Sequence, residues 1–122
     1  MADTELTTGP LVQTASLTTL HWLAVALALG TGLVHLYLGF VYGLAPFVLA
    51  GVGFLVGVVV FFTRYWRPWF YLVAALYAAV QVVLWLASGM RFFQLGFVDK
   101  VFQAALVLVV LYLYWDERPS AG

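Results

Sequence analysis

The sequence contains no cysteine, which excludes a disulfide framework, a thiol nucleophile, a thiolate-bound zinc and a cysteine-bound iron–sulfur cluster. Charge is almost as scarce. Five basic and five acidic residues make up 8% of 122 residues, so there is no basic stripe for nucleic acid and no polybasic tail for anionic lipid. Nucleic acid is not an expected partner. The sequence also lacks H-E-x-x-H, a P-loop, G-x-G-x-x-G, paired carboxylates inside an apolar run, and a serine beside a base, so no catalytic constellation is visible and no metal site is expected. The expectation is a protein that is not an enzyme.

What is present is apolar. Hydrophobic residues make up 66% of the chain and the mean hydropathy is +1.07, against about 45–50% apolar residues in a soluble domain. No Asp, Glu, Lys or Arg falls between Glu5 and Arg64, between Arg67 and Arg91, or between Lys100 and Asp116. A crossing of the bilayer takes about 20 apolar residues, so these gaps hold two spans, one span and one short span. The expected fold is an all-α integral membrane protein, an antiparallel four-helix transmembrane bundle in the cell membrane. Residues 1–15 carry Asp3, Glu5 and Pro10 and no base, unlike a cleaved leader, and are expected to be a retained polar tail.

The punctuation sets boundaries. Ser16 suits a cap, which places the first helix over about 16–42. Gly43 to Pro46 make a turn, with Pro46 at the first position of a second helix over about 46–62. Residues 63–69, TRYWRPW, form a charged loop crowded with the aromatics of a headgroup interface. A third helix is expected over about 68–88, a loop over 89–96, a fourth helix over about 97–115, and a polar tail over 116–122. Because helices gain no hydrophobic energy from one another in lipid, small residues should mark their contacts. Gly39 with Gly43 and Gly53 with Gly57 form two GxxxG pairs flanking the first turn, and Ala74, Ala75, Ala78 and Ala79 continue the pattern. The fourth helix, with little beyond Ala104 and Ala105, is expected to face lipid or a partner. Both termini and the middle loop share a side that holds Arg64, Arg67 and Arg118 against Arg91 and Lys100, which leans toward cytoplasmic termini.

Polar groups inside a span are the functional candidates. His35, Gln81 and Gln103 fall at similar depth in one leaflet, with Asp99 one turn from Gln103 and Tyr77 one turn from Gln81. Together His35, Tyr77, Gln81, Asp99 and Gln103 outline a ligand pocket opening toward the third loop, or else bonds that fasten the bundle. His21 and His35, 14 residues apart, return to one helix face about 21 Å along. That spacing resembles the haem-bearing helices of the cytochrome b family, and implies haem b held between two copies of the first helix in a homodimer. The chain is also similar in length and helix count to the small multidrug resistance transporters, whose first helix carries an acid that is missing from 16–42 here.

Across TTLHWLAVALALGTGLVHLYLGF and the aromatic second loop, the chain resembles the small uncharacterised four-helix membrane proteins of halophilic archaea, which implies an archaeal source and no particular activity. The reading that fits best is an accessory subunit of a larger membrane complex, or a binder of an apolar ligand such as lipid, quinone or carotenoid. Twenty-two aromatics would line such a pocket. A homodimeric b-type electron carrier and a small proton-linked transporter, using His35 or Asp99, stand beside it.

Overall fold

The computed structural model describes residues 16–118. Four helices follow one another: α1 (Thr19–Tyr42), α2 (Ala45–Phe61), α3 (Trp69–Ala87) and α4 (Phe93–Glu117). Three of them, α1, α3 and α4, are long and apolar enough to cross a membrane, whereas α2 is apolar but shorter at 17 residues. The polar segment 1–15 and the residues from Pro119 onward lie outside the described residues.

Local chemistry explains the ends. The cap of α1 is Thr18, two residues beyond Ser16, because the Thr18 backbone N–H donates to Nδ1 of His21 at 2.9 Å and satisfies a donor that the first turn leaves open. Gly43 ends α1 in a left-handed conformation, φ 67°, the C-terminal arrangement that glycine adopts without a Cβ penalty. Pro46 sits in the first turn of α2, where its missing N–H costs nothing. The largest departure from expectation is the start of α4, four residues earlier than 97. Gly89, Met90 and Phe92 all take left-handed backbone angles and compress the third turn. The Trp85 indole N–H then donates to the Arg91 carbonyl at 2.9 Å. Gly96, expected in the loop, is instead helical and packs under that indole.

The helices lie in the order α2, α1, α4, α3. Extended seams join α1 to α2, α1 to α4, and α3 to α4, and no comparable seam joins α2 to α3. The buried face of α4 is Gly96, Asp99, Gln103, Leu106, Val110 and Leu113, a three-and-four spacing that keeps one stripe facing a neighbour. This corrects the expectation for α4: it packs by that stripe, with Ala104 exposed. The outward surfaces are apolar; Phe40, Leu49, Leu76, Leu84 and Leu108 are exposed, the reverse of a water-soluble fold.

Candidate functional site

Small residues decide how closely the helices approach. A Cβ on Gly51 would come within 2.8 Å of the Gly32 carbonyl oxygen and of Leu36, and one on Gly39 within 2.8 Å of the Val48 nitrogen. The close seam between α1 and α2 therefore runs through Gly32, Gly39 and Gly51. The other glycines of the two GxxxG pairs serve differently. Gly43 is the left-handed helix end, Gly53 lies under the Tyr77 hydroxyl of α3, and Gly57 faces open space.

Two polar clusters sit between α1 and α4. In the first, the Thr31 hydroxyl donates to Oδ1 of Asp99, and Lys100 Nζ donates to Oδ2 at 2.6 Å. His35 Nδ1 lies 2.8 Å from the Thr31 carbonyl and 3.7 Å from Asp99 Oδ1. Since a carbonyl can only accept, that network assigns the proton to Nδ1. Asp99 is 2% exposed and Gln103 fully buried. The Asp99–Lys100 ion pair is thus inside, where a carboxylate is tolerated because both oxygens receive donors. Gln103 Nε2 donates to Gln81 Oε1 at 2.8 Å, tying α4 to α3. Tyr77 turns the other way and donates to the Ala50 carbonyl of α2 at 2.9 Å.

The second cluster lies at the opposite end of the helices. Glu117 accepts from His21 Nε2 at 2.5 Å and from the Tyr71 hydroxyl at 3.0 Å, joining the start of α1, the start of α3 and the end of α4. His21 also accepts the Thr18 N–H at Nδ1, so both ring nitrogens are engaged. The two histidines share a face, as their spacing requires, but each meets an acid of α4: His21 meets Glu117 and His35 meets Asp99. Both rings are buried in their own chain, and neither is presented to a second copy as a haem clasp requires.

Beside the second cluster, the missing seam between α2 and α3 opens an apolar cleft of about 470 Å³, within the range of small-molecule pockets. Tyr77 closes one end by reaching Ala50. Phe61, Trp66 and Tyr71 close the other, their rings packed edge-on with Trp66 5.0 Å from both Phe61 and Tyr71. Gly57 lines the cleft without a side chain to fill it, and Leu106 and Val110 of α4 form its floor. Of the residues proposed from the sequence as ligand contacts, Tyr77 lines this cleft, and His35, Gln81, Asp99 and Gln103 do not. By sequence alone the aromatics of the second loop belong to an interface belt and Glu117 to a tail. The missed signal was Tyr71, one turn into α3 and aromatic among aromatics.

The chain belongs to a family of unknown function, DUF7475, whose pattern matches residues 7–114. Searches of the curated proteins and of the solved structures found no match.

Proposed function

We propose that the chain is an integral membrane protein whose four helices cross the bilayer in antiparallel order, and that the cleft between α2 and α3 binds an apolar ligand. The cleft itself carries this reading. A cavity whose walls are almost wholly apolar offers hydrocarbon little beyond shape and dispersion. Those are the terms on which a chain-like ligand leaves surrounding lipid for a protein wall. The membrane placement is supported by the three long apolar helices and by the apolar outward faces. The antiparallel order is supported by the pairing of Gly39 with Val48 and Gly32 with Gly51, and of His21 with Glu117 and Thr31 with Asp99. The 17 residues of α2 lie at the lower limit for a crossing, which favours local thinning of the bilayer beside it. Membership of a halophilic archaeal group, and a place beside other subunits in a membrane complex, belong to the same reading.

The test is occlusion. Gly57 lines the cleft and a Cβ there meets nothing within 4 Å, so Gly57→Leu is the substitution chosen to narrow it. In nanodiscs, decylbenzene should bind the wild-type chain above the empty-disc background and should fail to bind Gly57→Leu of unchanged melting temperature. Equal retention by both proteins would remove the cleft as a binding site.

A further inference from the structure

We infer that the cleft takes one chain of an anionic phospholipid, whose phosphate is held by the Arg67 guanidinium of the second loop. The inference rests on the cleft being a ligand site and adds what the ligand's head must be. The loop over 62–68 joins α2 to α3, so its residues stand at one end of the space between those helices. Trp66, Trp69 and Phe70 line the cleft, and Arg67 stands among them in the chain. Its Nη1 donates to the Arg64 and Trp66 carbonyls, each at 3.2 Å, which holds the guanidinium against the backbone of a cleft-lining residue. The opposite edge of the fork, Nε and Nη2, has no partner among the described residues and is not sealed from the surface. Two parallel N–H groups on such an edge match two oxygens of a phosphate.

Charge selects the head. No acid occurs in 63–69, Arg67 makes no ion pair with a described residue, and Glu117 at the same end accepts from His21 and Tyr71. A ligand that was hydrocarbon throughout would leave the arginine edge to water, and a cationic head would be repelled by it. Arg64 and Arg67 are too few to gather anionic lipid by diffuse attraction, which takes a cluster of about four or more. Their charge becomes selective where a seated chain brings its phosphate to the loop. Val56 and Val73 line the cleft and are also exposed on the outer surface, so the gap opens sideways. A second chain can then stay in the bilayer while the first is held.

The experiment compares decyl phosphate with decanol on the full chain in phosphatidylcholine nanodiscs, each counted above the empty-disc background. Decyl phosphate should bind about five- to ten-fold more tightly, between the worth of an exposed ion pair and that of a charged hydrogen bond. Arg67→Gln, of unchanged melting temperature, should lose that preference and still bind decanol, and Gly57→Leu should lose both compounds. Phosphatidylglycerol added to the disc should displace decyl phosphate, and inorganic phosphate at equal concentration should not. Equal affinities, both lost in Gly57→Leu, would overturn the anionic head and leave the cleft standing. Binding of neither compound, or full binding of both by Gly57→Leu, would overturn the cleft and the lipid together. Displacement by inorganic phosphate, or failure of phosphatidylglycerol to displace, would overturn the lipid. Where Arg67→Gln fails to fold, the wild-type chain still decides. Its preference for decyl phosphate should shrink between about 0.1 M and 1 M sodium chloride, and a preference unmoved by salt would overturn the ion pair with Arg67.

Discussion

At the scale of single residues, two glycines on one helix, six positions apart, illustrate how context sets the cost of a Cβ. Gly51 has the Gly32 carbonyl and Leu36 at 2.8 Å from where a Cβ would stand, while Gly57 has nothing within 4 Å. Gly51→Ala must push α1 and α2 apart, an overpacking cost of about 1–3 kcal/mol, and should lower the melting temperature in detergent. Gly57→Ala removes backbone freedom from the unfolded chain and should hold or raise it; equal losses at both positions would contradict the seam described above. A second contrast concerns amides. Gln81→Leu strips the fully buried Gln103 of its hydrogen bond, and should cost about 1 kcal/mol, in keeping with interhelical bonds in membranes. Replacing both glutamines by leucine should recover most of that loss, and a double variant no more stable than Gln81→Leu would show that the pair does more than bond to itself. The sequence made both glutamines visible as polar groups at one depth. It could not show which neighbour each would choose, because helical spacing assigns a face and leaves the partner open.

At the scale of the elements, the existence of all four helices was legible because a span excludes charge, and the three charge-free gaps leave few other ways to divide the chain. Their ends were legible where glycine or proline marks them, as at Gly43 and Pro46, and illegible at α4. There the left-handed residues include Met90 and Phe92, side chains that seldom adopt that conformation and carry no sequence signature for it. The arrangement of elements was less readable still. The paired glycines of α2 look alike in sequence, yet Gly53 meets α3 and Gly57 meets nothing. The junction between α2 and α3 depends on Tyr77, whose hydroxyl bonds to Ala50 and whose ring stands edge-on to Phe54 at 4.9 Å. Tyr77→Phe keeps the ring and removes the bond, a change of about 0.5–1.5 kcal/mol. With spin labels at the exposed Val59 and Leu72, the distance distribution between α2 and α3 should broaden in Tyr77→Phe. A distribution as narrow as that of the otherwise unaltered chain would show that the two helices are held by something else.

At the scale of the whole molecule, the proposal that the chain crosses a bilayer sets which way round it lies as a question for the same contacts. Read as a count, the loops carry Arg64, Arg67 and Arg118 on one side and Arg91 and Lys100 on the other, a small difference. The fold changes the count, because the Lys100 ammonium is paired with Asp99 at 2.6 Å and its side chain is 12% exposed. It is spent inside the helix array and is not free to hold a loop on the cytoplasmic face. Arg91 is then the basic residue left at that end, and the asymmetry becomes three against one, large enough for the bias in Lys and Arg to set orientation. The expected topology places the second loop and both termini in the cytoplasm, with the turns at Gly43 and Gly89 outside. The absence of cysteine makes this directly measurable, since each substitution introduces the sole thiol. In intact cells, a membrane-impermeant maleimide should label Met90→Cys and spare Tyr65→Cys, at an exposed position of the second loop, until the membrane is opened. The second-loop arginines are left in place, because removing one would alter the asymmetry under test. Lys100→Ala should leave that pattern unchanged if the ammonium is committed to Asp99, whereas a mixed pattern in the chain that retains Lys100, made uniform by Lys100→Ala, would show that Lys100 acts as a loop charge and that the inward pairing does not hold during insertion.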